Sequence, residues 1–185
     1  MPDVVIANAG ISIGTLTEHA ADRSPFARII DTNLLALFDT FQPFIGPMRE
    51  SMRPGYRPRL VGIASVAGVR GLPGSEAYSA SKAAAISYCE SLRVELRGTG
   101  IRVVTLLPGF IATPMTAKNP YRMPFLMPAE AFAKRAVAAI DRGVSQRVIP
   151  WQMAIVARLL RLLPNWLYDR AFANAGRKPR AGQST

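Results

Sequence analysis

SVAGVRGLPGSEAYSASK, residues 65–82, joins the end of an apolar run to the start of a helix. The run LVGIAS is short and rich in branched aliphatics, which predicts a buried strand that closes at Ser65. Tyr78 follows Ser65 by thirteen residues, and Lys82 follows Tyr78 by four. The i, i+4 spacing puts Tyr78 and Lys82 on one face of a helix, one above the other. A phenol with a pKa near ~10 is a poor acid at neutral pH. A neighbouring ammonium favours the phenolate and is expected to pull that pKa down. A serine hydroxyl at the strand end can hydrogen-bond a substrate oxygen beside the phenol.

Two further apolar runs repeat the pattern. DVVIAN, residues 3–8, ends in Asn8-Ala9-Gly10, where small residues let a ligand approach the backbone. IRVVTLL, residues 101–107, ends in Pro108-Gly109. Helical patterns lie between and after these strands, over 25–52, 75–97 and 129–142. Pro43 and Pro47 are expected to bend or break the first. Strands alternating with helices predict an α/β fold with a parallel sheet. Asn8, Ser65 and Pro108-Gly109 then fall at the carboxyl ends of successive strands, where open α/β sheets bind ligands.

With Ser65, Tyr78 and Lys82 at this spacing, NAG after one strand and PG followed by Thr113 after another, the chain resembles the short-chain dehydrogenase/reductase family. The resemblance covers roughly residues 2–149. It implies a Rossmann-like parallel sheet with flanking helices over 1–150 and a nicotinamide cofactor, NAD or NADP. It also implies an enzyme that interconverts a carbonyl and an alcohol. Tyr78 would be the acid and base, with Lys82 lowering its pKa and binding the nicotinamide ribose, and Ser65 would polarise the substrate oxygen. Asn8, Ala9, Gly10, Pro108 and Gly109 would border the cofactor, and Ile111 and Thr113 would hold the carboxamide. Asn33 sits in an otherwise apolar helical run. Read from the residues, it is a core amide satisfied by backbone or water; the resemblance makes it the anchor of a relay water. The family's opening TGxxxGxG turn has no counterpart here, because Gly68, Gly71 and Gly74 lie between Ser65 and Tyr78. The expectation is an N-terminally truncated Rossmann domain without the adenosine half that sets the NAD or NADP preference, or an inactive homologue kept as an interaction module.

The chain of 185 residues carries a formal charge of +11. Eight of its Lys and Arg residues, against Asp169 alone, lie from Arg142 onward. That basic end lacks interleaved aromatics or a nucleic-acid reader module, so nucleic acid is not the expected partner. Cys89 and His19 are the only residues of their types, which excludes an internal disulfide and a His/Cys metal site. A cytoplasmic location is expected from cysteine usage and the lack of a signal sequence. Residues 114–128 form a Met- and aromatic-rich loop, suited to a lid over a lipophilic small-molecule substrate. The helical extension 151–175 contains WQMAIVARLLRLLPNWLY, residues 151–168. Its two readings are a membrane-surface helix and a helix packed on the core or on a second subunit of a homo-oligomer. The polar, basic tail 176–185 is expected to be disordered.

Overall fold

The computed structural model describes residues 1–182. Its main sheet has four parallel strands in the order β1 (Val4–Ala7), β2 (Arg59–Ile63), β3 (Arg102–Pro108) and β6 (Gln146–Ile149). Leu60 pairs with Val5 on one side and Val103 on the other, so the three apolar runs lie in register. A short pair, β4 (Ile111–Ala112) and β5 (Met127–Pro128), stands outside this sheet and brackets the loop expected to act as a lid. That loop begins with one helical turn, α4 (Pro114–Ala117).

Helices cover both faces. On one face α2 (Ala36–Glu50) and α3 (Glu76–Glu95) bury Leu37, Phe41, Met48, Ala85 and Cys89 against Val5, Leu60, Val103 and Leu107. On the other, α5 (Ala129–Asp141) sets Ala136, Ala139 and Ile140 on Val61, Val104 and Leu106. Strands sandwiched this way must be apolar throughout, which explains their unbroken runs. Cys89 is 1 % exposed and fits because Gly62 faces it: a Cβ on Gly62 would lie 2.5 Å from the sulfur. The strand β1 is an edge whose residues alternate, with Val5 and Ala7 buried and Val4 and Ile6 exposed.

The structure corrects two expectations. Pro43 and Pro47 do not break their helix: α1 (Arg23–Ile30), one π-turn over Asp31–Leu35 and α2 run on without interruption. Each proline deletes one helical hydrogen bond, and the apolar face that carries Leu37, Phe41 and Met48 holds the segment against the sheet. The second concerns the tail, whose residues 176–180 are docked. The α6 helix (Trp151–Leu162) and α7 (Asn165–Phe172) lead into it. Arg180 then makes a two-pronged ion pair with Asp22, at 2.7 and 3.0 Å. The Gly14 N–H donates to the Pro179 carbonyl at 2.9 Å. A side chain on Gly14 would strike the Lys178 carbonyl, so glycine permits the approach. Composition predicts disorder because it counts charge without seeing the buried partner. The last part of that expectation, 183–185, lies outside the described residues.

Candidate active site

Ser65, the second residue past β2, has an extended backbone, and its Oγ accepts the Ala67 N–H at 3.1 Å. That bond starts a tight turn over Val66–Gly68 which lies directly on α3. A Cβ on Gly68 would come within 2.5–2.7 Å of the Lys82 and Ala83 backbone, so only glycine lets turn and helix close up. The start of α3 is fixed from outside: Thr15 Oγ1 accepts the Ala77 N–H at 3.2 Å, one residue before Tyr78.

Tyr78 is half-buried and Lys82 is 4 % exposed. The Lys82 ammonium donates to the Ile63 carbonyl at 2.8 Å and lies 5.9 Å from the centre of the Tyr78 ring. Burial pushes the Tyr78 phenol above its ordinary value, and a hydrogen bond with Ser65 works against that push. Burial drops the Lys82 pKa to about 8. The sequence predicts a depressed phenol; the structure shows a raised one. Lys82 spends its proton on the Ile63 carbonyl and is itself partly discharged by burial, so it does not overcome the phenol's desolvation.

Asn33 is 2 % exposed and occupies the π-turn. Its amide spans two elements: Oδ1 accepts the Ile11 N–H at 2.8 Å, and Nδ2 donates to the Ile11 carbonyl and the Ser81 hydroxyl, both at 3.0 Å. This is the core amide of the residue-based reading, clamping the segment after β1 to α3. Gly10 completes the convergence: the position of its absent Cβ is 3.5 Å from both Asn33 Oδ1 and Lys82 Nζ. Ala9 lines a small hollow with Asn33 and Ile63, and Asn8 is exposed beside it. Thus Gly10, Asn33, Ser65, Tyr78 and Lys82 gather at the carboxyl ends of β1 and β2.

Pro108, Gly109, Ile111 and Thr113 follow at the end of β3. Gly109 donates to the Ile149 carbonyl at 2.8 Å, and its bare Cα faces Met153. Ile111 is buried against Met127, and the Thr113 N–H donates to Thr116 Oγ1 at 3.0 Å. An apolar cavity of 320 Å³ opens beside this edge, lined by Val66, Leu72, Phe110, Tyr121, Met153 and Leu160 among others. Ser65 and Tyr78 are not in its wall, but Val66 and Ala67 are, and Tyr78 is near enough to raise the Tyr121 pKa after burial. Sequence reasoning misses three contributors: the Ile63 carbonyl, Ser81 and Arg70. Only Ser81 leaves a trace, as the residue before Lys82. Arg70 stacks 4.0 Å from the Tyr168 ring and donates to the carbonyls of Leu160 and Leu163, fixing α6 over the cavity.

A profile described as short chain dehydrogenase matches residues 2–123, and the chain belongs to this family, with its Rossmann-like fold. An uncharacterized oxidoreductase of Myxococcus xanthus is 44% identical over 172 residues, covering 91% of this chain and 65% of that protein. A 3-oxoacyl-(acyl-carrier-protein) reductase of Rickettsia conorii is 40% identical over 116 residues, covering 63% of this chain and 46% of its own length. Among solved structures, 4-hydroxyisoleucine dehydrogenase complexed with NADH and succinate superposes with a TM-score of 0.68 at 29% identity, over 80% of this chain and 66% of that one. A short chain dehydrogenase from Burkholderia cenocepacia in complex with NADP shares the fold, with a TM-score of 0.75 at 22% identity, over 90% of this chain and 67% of that one. The chain thus spans less than two thirds of the length of the first curated relatives it matches.

Lys82 carries a testable stability signature. Its native pKa of about 8 lies below the ordinary 10.5, so the unfolded chain binds the extra proton between these values. Keeping the buried ammonium therefore costs stability below pH 8, and the cost fades as pH rises from 8 to 10.5. The shift corresponds to about 3 kcal/mol. Urea unfolding at pH 7.5 and pH 10.5 is expected to show that gain in the wild type and to lack it in Lys82→Met. Parallel pH dependences in the two proteins would show that Lys82 is not a desolvated ammonium.

Proposed function

We propose that the chain is the catalytic part of an NAD(P)-dependent oxidoreductase that interconverts a carbonyl and an alcohol on a lipophilic substrate. The observation that carries this reading is the gathering of Ser65, a half-buried Tyr78 and Lys82 at one strand end, with the Lys82 ammonium 5.9 Å from the ring. A raised phenol pKa keeps Tyr78 protonated at neutral pH, the form needed to donate to a carbonyl oxygen as it becomes an alkoxide. Ser65 holds that oxygen through its hydroxyl. Lys82 keeps positive charge next to the phenolate that remains, and Asn33 and Ser81 hold the loop and helix in place around it. The bound cofactor supplies or accepts the hydride. The site fits its nicotinamide end: Asn8, Ala9 and Gly10 offer small residues and open backbone next to Lys82, with Pro108, Gly109, Ile111 and Thr113 on the neighbouring strand end. The apolar cavity takes the body of the substrate.

The test joins a glycine-rich strand–turn–helix segment ahead of the chain and follows NADH and NADPH absorbance with medium-chain ketones and 3-oxoacyl esters. Turnover with these, and none with short hydrophilic ketones, is the expected result. No oxidation of either cofactor with any carbonyl would remove the reading and leave an inactive interaction module.

A second contact is also proposed, between α6 and a membrane surface. Trp151, Ile155, Leu159 and Leu162 recur at helical spacing along α6, Trp166 follows in α7, and all five are 49–79 % exposed, while Met153 and Ala157 face the core. Arg158 and Arg161 flank this stripe, the pattern of an interfacial helix. Flotation with anionic liposomes is expected to carry the protein, and Leu159→Glu with Leu162→Glu should abolish it. If wild type does not float at low salt, the stripe belongs to a homo-oligomer contact, which light scattering on the same variants would register.

A further inference from the structure

The cavity wall is made by three stretches, and their charge is one-sided. Residues 65–75, 110–128 and 151–176 contain one acid, Asp169, against six Lys and Arg. Arg122 lines the cavity itself. The docked tail brings Lys178 to the same side, since Gly176, two residues earlier, forms part of the wall and packs on Tyr121. Lys178 is half-buried, and its ammonium donates to a neutral partner, Ser12 Oγ, at 2.9 Å. Among the described residues no carboxylate pairs with it. Burial pushes its pKa down, and the charge of Lys118 in the 114–128 loop pushes it the same way. Partly burying an ammonium without an anion is unfavourable. The chain holds it there anyway, through the Arg180–Asp22 buckle two residues further on, in which Asp22 is 5 % exposed.

We propose that Lys178, two residues past Gly176 of the wall, forms an anion subsite with the wall's Arg122, so that the ligand is an anionic amphiphile: an apolar chain inside and a carboxylate or phosphate at the rim. Asp22 and Arg180 are positioning residues, which act by holding the tail. This rests on the reading of the cavity as the substrate site, but it is tested by binding alone and does not require hydride transfer.

The experiment is calorimetric titration of the 185-residue chain with dodecanoate, dodecyl phosphate and dodecanol, each below its micelle concentration. The two anions are expected to bind at least ~10-fold more tightly than the alcohol, the increment of one charge-assisted contact; the tighter of them names the headgroup. Lys178→Met should erase most of that preference and leave dodecanol affinity unchanged. Asp22→Asn should reduce it in part, and Tyr78→Phe should keep it, although the same substitution costs turnover in the chain joined to a glycine-rich segment, which separates this proposal from the catalytic one. Equal affinity of wild type for anions and alcohol would overturn the subsite. So would a preference that survives Lys178→Met combined with Arg122→Met. A third overturning result is that Lys178→Met weakens NADH alone, since the ammonium would then serve the cofactor.

Discussion

Tyr78→Phe is expected to lower carbonyl reduction roughly 10²–10⁴-fold, the range of a positioned general acid. The assay uses the chain joined to a glycine-rich cofactor segment, with saturating NADH or NADPH. Phenylalanine keeps the ring and deletes only the hydroxyl, so folding and ligand binding should be nearly unchanged. The loss should fall on kcat and not on KM, because the proton transfer belongs to the transition state. The pH profile adds a second constraint. A buried phenol with a raised pKa holds its proton across the physiological range, while the Lys82 charge is lost as pH rises through about 8. Reductive turnover should therefore decline above that pH, before the phenol itself titrates. Wild-type rates in Tyr78→Phe would mean that another group delivers the proton, and the Ser65–Tyr78–Lys82 assignment would fail with them.

Much of this site is legible because its chemistry is local. Tyr78 and Lys82 lie one turn apart on one helix, and an apolar run places Ser65 at a strand end without knowledge of the rest of the chain. What stays hidden is long-range. Asn33 gives an ambiguous signal in sequence, because its partners, Ile11 and Ser81, are 22 and 48 positions away. Pro43 and Pro47 mislead because helix propensity is read without the sheet that holds α2 in place. The tail misleads because Arg180 and Asp22 are 158 positions apart. The phenol's raised pKa is a fourth case. Spacing shows that an ammonium is near, but not that a strand carbonyl engages its proton or that burial outweighs its charge.

The second large effect concerns the cofactor. The 185-residue chain by itself is expected to bind NADH at least ~10²-fold more weakly than the same chain carrying a glycine-rich strand–turn–helix segment, and to show no turnover. Pyrophosphate is ordinarily held by backbone N–H groups at a helix N-terminus behind such a turn. In this chain, glycines 68, 71 and 74 are engaged elsewhere: Gly68 packs on α3, the Gly71 carbonyl accepts the Tyr168 hydroxyl, and Gly74 takes a positive φ of 68° under the Arg177 side chain. Only the nicotinamide end then has a site. The same chain should self-associate reversibly, because β1 is an edge strand with Val4 37 % and Ile6 48 % exposed. Unpaired N–H and C=O groups beside apolar side chains are a template for another strand. Ile6→Lys places a charge on that edge and should shift the equilibrium toward monomer without changing NADH affinity. Fluorescence titration with NADH and sedimentation of wild type, Ile6→Lys and the joined protein check both halves. A monodisperse wild-type chain with micromolar NADH affinity would refute them, and would mean that the cluster of Gly10, Asn33 and Lys82 binds the cofactor without a phosphate cradle.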